Sequence, residues 1–328
     1  MFHCGYQTGE EFSDTRRNWT DDGPRPLKWS AWYPSSDIED CEKAVGFFDL
    51  KDARLSAPIA EGKFPLVVMS HGTGGSAEGM SWLGTALAKK GFIVLGANHH
   101  GNTSAEDYLA EGFVCWWERV EDLSELLNHH LSVGPFAKAI DNNRITGVGF
   151  SVGGYTVMSM AGAITRLENY FNWRDDTGLP MSGPTEFPDV EDHIPELKAR
   201  SSVFKASWDT HTRNLFDPRI KSLVLLAPAP PVRSFDGASV EQISIPTMIV
   251  SASGDKDASK QDGGDFLEAL NPAFAHHDLG EHVRHYTFIS LPTRKELIER
   301  VQIFHDHPSV DRKQVHQEII DLILPALA

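Results

Sequence analysis

The sequence predicts an α/β fold in which a mostly parallel central sheet carries helices on both faces. Apolar runs alternate with stretches of helical periodicity through most of the chain, which is typical of buried parallel strands joined by crossover helices. Glycine-rich loops follow the early apolar runs, where the carboxyl ends of such strands would form a site. With 328 residues, 41% of them hydrophobic and 23% charged, the chain is long enough to bury a sizeable core.

The chain opens with a predicted antiparallel β region over about residues 1–60. Residues 27–33 alternate in polarity until Pro34, which cannot continue a central strand. A polar connection follows over 49–61. Residues 64–70 form an apolar run too continuous for an edge strand, so we expect a buried parallel strand there.

The next segments alternate between helix and strand. Residues 80–90 predict a helix that closes at Gly91, and 92–98 predict another buried strand. Residues 116–131 place apolar side chains at helical spacing, and a β-rich run then leads to Phe150. Because βαβ crossovers are right-handed, this order predicts one parallel sheet with its site at the carboxyl ends of the strands.

The alternation breaks between residues 166 and 218, which are rich in proline, aspartate and scattered aromatic side chains. A long loop-rich insertion within a compact domain is unusual. We interpret it as a cap over a pocket, because its aromatic side chains need burial. Strands resume at 220–227 and 247–252, and an amphipathic helix over 311–327 ends the chain, so residues 1–328 read as one domain with a cap insertion.

Charge and composition exclude several classes of function. A net charge of −16 disfavours a nucleic-acid or anionic-membrane surface and suits an apolar or uncharged small molecule. No stretch has the apolar length of a membrane span, and the start lacks the basic and apolar regions of a signal peptide, so a cytoplasmic location is expected. Three widely spaced cysteines suit reduced thiols. The oligomeric state is not predicted.

The strongest chemical signal is Ser151, which lies between two glycines in the stretch Gly149-Phe150-Ser151-Val152-Gly153. This G-x-S-x-G pattern, with a strand before it and a helix after it, matches the nucleophile elbow of α/β-hydrolases. A side chain at either glycine would clash in the tight turn. We therefore predict the α/β-hydrolase fold with Ser151 as its nucleophile, with no cysteine at the elbow to compete.

A serine nucleophile requires a carboxylate and a histidine, which in this fold follow it in that order. The predicted strand at 247–252 leads into Gly254-Asp255-Lys256-Asp257, so two carboxylates qualify. We assign Asp257 to the site, because a Gly-x-x-Asp turn after this strand recurs in the superfamily, and keep Asp255 as the alternative.

Chain order leaves several histidines open: His276, His277, His282, His285, His305, His307 and His316. We favour His285, because the aromatic run that it opens could fix an imidazole near the edge of the sheet. His305 is the alternative, although His305 and His307 flank Asp306 just before Pro308, which suits a surface loop. We expect His316, within the last helix, to face solvent or to pack structurally.

The oxyanion donors are expected to be backbone N–H groups of Val152, which follows the nucleophile, and of Thr73, in the loop after the early strand. Thr73 would act through its backbone, so its side chain should be replaceable.

Several motifs together resemble a known family. They are Ser70-His71-Gly72-Thr73-Gly74-Gly75, Asn98-His99-His100-Gly101-Asn102-Thr103, the elbow from Gly149 to Tyr155, and His285-Tyr286-Thr287-Phe288. These resemble the serine α/β-hydrolases described as predicted dienelactone hydrolases and related to platelet-activating-factor acetylhydrolase. The similarity spans most of the chain and is weakest over 166–218.

This resemblance implies an esterase or lipase-like acyl hydrolase without metal or organic cofactor, acting on a small-molecule ester, and it supports His285 over His305. True dienelactone hydrolases carry a cysteine nucleophile, so the serine at 151 argues against dienelactone as substrate.

The sequence is also compatible with functions other than ester hydrolysis. An amidase or lactonase could use the same triad. A metal-dependent hydrolase is suggested by 15 histidines in several adjacent pairs, but no His-Glu-x-x-His spacing is present. A binding module without catalysis is also compatible with the fold.

Overall fold

A computed structural model describes residues 2–50, 52–178 and 183–327, so part of the predicted cap, residues 179–182, lies outside the described residues. Strands in these ranges form one nine-stranded sheet. They are β1 His3–Arg17, β2 Pro24–Ser35, β3 Ala53–Leu55, β4 Phe64–Ser70, β5 Ile93–Asn98, β6 Ile140–Phe150, β7 Ser222–Leu226, β8 Thr247–Ser251 and β9 Ala275–Asp278.

The sheet order is β3-β1-β2-β5-β4-β6-β7-β8-β9. Strands β5, β4, β6, β7, β8 and β9 pair in parallel, whereas β2 is antiparallel to both β1 and β5. The predicted antiparallel opening and the mostly parallel sheet are therefore confirmed. The carboxyl ends of β4, β6 and β8 lie along the same edge of the sheet, and the candidate site residues follow them.

The helices are α1 Ser81–Lys89, α2 Ala110–Val114, α3 Glu118–Ser132, α4 Val152–Met160, α5 Leu167–Thr177, α6 Ile194–Arg200, α7 Ser202–Asp209, α8 Gly237–Glu241, α9 Gly264–Leu270, α10 Lys295–Arg300 and α11 Arg312–Ile323. Short 3-10 turns lie at Ala77–Met80, Val190–His193, Pro230–Ser234, His285–Phe288, Gln302–Phe304 and Leu324–Ala326.

Two apolar layers cover the two faces of the sheet. Alternate side chains of β4 point to opposite layers: Leu66 and Val68 pack with α3 and α4, and Val67 and Met69 pack with α1 and α11. A strand buried on both faces favours apolar side chains at nearly every position, and all seven residues of β4 are buried, with Ser70 at its end as the one polar side chain. This double burial explains why the sequence run is continuous, and it confirms helices on both faces.

The sequence prediction does not include two short strands that the structure contains. β3 lies within the predicted polar connection and pairs with β1, and β9 has the polar sequence Ala-His-His-Asp. β9 pairs with β8 at the end of the sheet order and is half-exposed, so its sequence carries no apolar run. Such strands are defined by backbone pairing with a neighbour and not by their own pattern.

The insertion at 166–218 is more helical than its sequence indicates, because its described part contains α5, α6 and α7. Its apolar side chains form a third buried cluster with α2 and with Trp19 and Trp117, to which Leu167, Leu197 and Phe204 contribute. Phe204 is buried in this cluster and Phe171, Phe187 and Trp208 pack against it partly buried, whereas Phe216 is exposed.

The helices and the cysteines bear on two expectations from the sequence. No described helix has both the length and the apolar character that crossing a membrane requires. Cys4, Cys41 and Cys115 are all unpaired thiols, as their spacing predicts.

Candidate active site

Ser151 sits on a sharp turn between β6 and α4. Its backbone is in a positive-φ conformation, φ 56° and ψ −121°, which only a strained turn imposes on a serine. The Ser151 N–H donates to the Leu226 carbonyl at 2.9 Å, and the Ser151 carbonyl accepts from the N–H groups of Gly154 at 2.9 Å and Ala229 at 3.2 Å. These bonds to β7 and to the loop after it hold the turn in place.

The two elbow glycines are required by contact with backbone. A Cβ at Gly149 would lie 2.0 Å from the Gly153 carbonyl oxygen, and a Cβ at Gly153 would lie 2.1 Å from the Ser70 carbonyl oxygen. No side chain can be accommodated at either distance without moving backbone. The sequence argument for glycine at both positions therefore has a direct steric basis here.

Ser151, His285 and Asp255 form one chain of hydrogen bonds. Ser151 Oγ lies 3.0 Å from His285 Nε2, and His285 Nδ1 lies 2.7 Å from Asp255 Oδ2. All three residues are buried, with exposed fractions of 5%, 5% and 4%. The structure thus brings together the predicted serine and the predicted histidine, although the histidine lies in a 3-10 turn and not after a strand.

The carboxylate in this contact is Asp255, the alternative, and not Asp257. Asp255 Oδ1 accepts hydrogen bonds from the N–H groups of Asp257 at 2.9 Å and Ala258 at 2.8 Å, so Asp257 helps to hold Asp255 through its backbone. A Cβ at Gly254 would lie 2.2 Å from the Glu281 carbonyl oxygen. Because the chain leading to His285 passes this closely over Gly254, the next residue, Asp255, faces the imidazole. The side chain of Asp257 lines the cavity instead.

The surroundings of His285 favour its protonated form. Burial by itself lowers the pKa of His285, but the charge and hydrogen bond of Asp255, followed by the charges of Asp257 and Glu186, outweigh it, so the pKa lies above the ordinary value. The Phe150 ring packs on the imidazole at 4.8 Å between centroids. This environment suits a group that receives a proton during a reaction.

The remaining candidate histidines lie elsewhere. His305 is exposed and its Nε2 bonds to the Glu299 carbonyl. His316 packs structurally, stacked on Trp82 at 3.9 Å, and donates from Nε2 to the Thr287 carbonyl. Burial lowers the pKa of His316 to about 4. The preference for His285 over His305 therefore agrees with the geometry.

The predicted oxyanion donors flank the serine. Val152 is the first residue of α4, where helix N–H groups have no intrahelical partner, and Thr73 lines the cavity beside Ser151. Within the described parts of the chain, the Thr73 N–H has no hydrogen-bond partner. Val152 thus follows Ser151 directly, and Thr73 lines the same cavity as Ser151.

A cavity of about 340 Å³ opens over Ser151 and His285. Its walls are mainly apolar, and many of them come from the insertion: Leu167, Tyr170, Phe171, Trp173, Val190, Ile194 and Trp208. Trp116 connects the two parts, since its ring packs against Tyr155 of α4 at 5.8 Å and against Tyr170 of the insertion at 4.9 Å. The carboxylates of Glu186, Glu191 and Asp257 also face this space.

The adjacent histidine pairs do not converge on this cavity. His99 is buried between Ser70 and Asp122, whereas His100 bonds to Glu106. Among the described residues, Asp265, Glu268 and His276 are spaced closely enough to hold a metal ion, but none of them lines the cavity. The histidine pairs therefore give no support to a metal at Ser151.

Sequence reasoning missed several residues that shape the site. Glu186 lies in the insertion, near enough to Tyr286 and His285 for its charge to act on both, and burial raises the pKa of Glu186. Tyr286 could have been found as the neighbour of His285. No local pattern marks Glu186, because its approach to His285 depends on how the insertion folds back over the sheet.

Comparisons with known proteins agree with this fold. A ferulic acid esterase from Streptomyces cinnamoneus is similar with a TM-score of 0.63 and 16% identity, and the alignment covers 98% of this chain and 88% of that chain. At this identity the likeness shows the fold, so the protein has the α/β-hydrolase fold. No curated protein matches the sequence.

Residues 48–113 match the family of platelet-activating factor acetylhydrolase, isoform II. The matched segment contains Thr73 and His99 and ends before Ser151. The predicted resemblance to this acetylhydrolase family is confirmed over the matched segment, which contains the motifs at 70–75 and 98–103, and the family match together with the fold supports a carboxylic ester hydrolase.

Proposed function

We propose that this protein hydrolyses carboxylic esters of small or lipid-like molecules through an acyl-enzyme on Ser151. The observation that carries the proposal is the buried hydrogen-bonded chain from Ser151 through His285 to Asp255 at the base of an apolar cavity. Nucleophile, base and orienting carboxylate stand in the order and contacts that acyl transfer requires.

In the first step, Ser151 Oγ attacks the ester carbonyl as its proton passes to His285 Nε2. His285 accepts there because its Nδ1–H is committed to Asp255, which fixes the tautomer and stabilises the imidazolium. Collapse of the tetrahedral intermediate breaks the carbon–oxygen bond to the leaving alcohol, which takes the proton from Nε2. Water then attacks the acyl-enzyme by the same route, and the released acid leaves Ser151 with its proton.

The charge on the tetrahedral intermediate would be received by the N–H groups of Thr73 and Val152. One such donor is worth about 3 kcal/mol of transition-state stabilisation in other hydrolases. The position of Val152 at the start of α4 adds the positive end of the helix dipole.

The substrate's apolar group would bind against the aromatic walls. We propose that residues 166–218 act as a cap whose α5 side chains, Tyr170, Phe171 and Trp173, bound this space. The cavity is lined by acidic side chains, Glu186 and Asp257, and by basic ones, Arg174 and Lys256, so both neutral and charged esters belong in a substrate test. The structural neighbour is named for ferulic acid, an aromatic acid, so aromatic acyl groups belong among the substrates to be tested.

The proposal is tested by Ser151→Ala, which should abolish turnover of short p-nitrophenyl esters and labelling by a fluorophosphonate. Ser222→Ala is the matched control, because Ser222 is also buried, at 3% exposure, but begins β7 at the opposite edge of the sheet. Full turnover by folded Ser151→Ala would overturn the mechanism, and absence of an adduct on wild-type Ser151 would favour a binding module.

A substrate panel then decides between ester, amide and lactone. Matched esters and anilides of the same acyl groups, from acetyl to long-chain and feruloyl, keep the acyl part constant while the leaving group changes. We expect ester turnover to exceed anilide and lactone turnover. A burst of nitrophenol equal to the enzyme concentration would report the acyl-enzyme.

A further inference from the structure

The loop that carries Thr73 is held by hydrogen bonds from outside itself. We call residues 71–75 the oxyanion loop. Three of its five residues are glycines, and Gly74 adopts a positive φ of 61°, so its own chain offers little rigidity. Within it, Gly75 N–H donates to the Gly72 carbonyl at 3.1 Å, and His71 Nδ1 bonds to the same carbonyl at 2.6 Å.

The loop after β5 holds the far side of the oxyanion loop. Asn102 Oδ1 accepts from the Gly74 N–H at 2.7 Å, and the Tyr108 hydroxyl donates to the Gly74 carbonyl at 2.6 Å. The Ser104 N–H donates to the Gly75 carbonyl at 2.9 Å. Thr73 is thus bracketed by fixed neighbours, while its own N–H has no partner within the described residues.

Behind the oxyanion loop lies Arg119 of α3, which is 1% exposed. Its guanidinium donates to the His71 carbonyl, to Ser70 Oγ at 3.1 Å and to Asn102 Oδ1 at 3.5 Å. Within the described chain no carboxylate forms an ion pair with it, although Asp122 lies near enough to act on its charge. Its Nε also donates to Thr156 Oγ1 at 3.3 Å, so all of these acceptors are neutral groups. Burying a charged guanidinium without an acid as its partner is costly, which calls for a role.

We propose that Arg119 is a positioning residue for the oxyanion hole, which fixes the His71 carbonyl and the Asn102 amide so that the intervening Thr73 N–H points at the reacting oxygen. The inference rests on the proposed role of Ser151. Arg119 joins the start of the oxyanion loop at His71 to the residue that fixes Gly74. A displacement of this amide by even a fraction of an ångström weakens its bond to a developing oxyanion.

A positioning role for Arg119 differs from simple packing in which kinetic parameter a substitution of Arg119 changes. The oxyanion bond forms only in the transition state, so Arg119→Met should lower kcat by about 10²-fold to 10³-fold, as the loss of one oxyanion donor does, with KM nearly unchanged. Arg119→Lys keeps one charged donor for the His71 carbonyl and should recover part of that loss. Arg219→Met is the control, since Arg219 bonds to Asp217 and Asn128 away from the cavity.

Activity is measured below the melting temperature of each variant, with folding checked by circular dichroism. If Arg119→Met does not fold, Arg119→Lys and Asn102→Leu decide, and both should lower kcat at constant KM. The inference is overturned if folded Arg119→Met, or Asn102→Leu where Arg119→Met does not fold, keeps kcat within threefold of wild type, or if KM alone changes. A wild-type Ser151 that fluorophosphonate fails to label would overturn the proposed function instead.

Discussion

Asp255→Asn tests the chain of hydrogen bonds at its buried end. Asp255 Oδ1 already accepts two backbone N–H groups, from Asp257 and Ala258. In the variant, the amide oxygen must take that position, because an NH₂ group there would meet two donors. The NH₂ group then occupies the place of Oδ2, 2.7 Å from His285 Nδ1.

An NH₂ group facing Nδ1 reverses the hydrogen bond. His285 must then accept at Nδ1 and carry its proton on Nε2, so it cannot receive the proton of Ser151. In another serine hydrolase the same inversion of tautomer costs on the order of 10⁴-fold in kcat, or about 5 kcal/mol of transition-state stabilisation. We expect a loss of that order here, with substrate binding little affected, because Asp255 does not line the cavity.

Asp257→Asn is the matched control, with the same chemical change two residues away. It removes a charge near His285 but no hydrogen bond to it, so we expect a loss below about tenfold at neutral pH. Both variants are assayed for kcat and KM on one p-nitrophenyl ester. If Asp257→Asn loses activity by thousands and Asp255→Asn does not, the reasoning from the backbone donors is refuted.

Three further changes probe other parts of the structure. His285 must be neutral to act as base, so kcat/KM should fall as the pH drops through a midpoint above the ordinary histidine pKa of about 6.5. Glu186→Gln should move that midpoint to lower pH, because the variant loses a carboxylate that stabilises the imidazolium. A midpoint that moves to higher pH contradicts this reasoning. Gly153→Ala places a Cβ against backbone and should lower the free energy of unfolding, measured in urea, by at least about 2 kcal/mol. A decrease near zero would show that the elbow can relax. Asp122→Asn removes a buried carboxylate that pairs with two arginines and should lower the free energy of unfolding by about 3–5 kcal/mol, whereas a loss under 1 kcal/mol would mean that those charges find other partners.

The long elements of the fold and the position of Ser151 are readable from the sequence, because each rests on a local rule. Strands buried on both faces, such as β4, require a continuous apolar run, and the elbow requires glycines at 149 and 153, since a Cβ at either meets backbone. The short edge strand β9 follows no such rule, because only its pairing with β8 makes it a strand.

The choice between Asp255 and Asp257 was decided by tertiary structure. Both carboxylates suit the turn after β8, and chain order does not separate them. What separates them is the close passage of residues 281–283 over Gly254, which sets the imidazole of His285 against the first carboxylate. The same holds for Arg119 and Glu186, whose neighbours at the site come from distant segments. Local sequence determined Ser151 and its turn, whereas contacts between remote segments determined the side chains that hydrogen-bond with it.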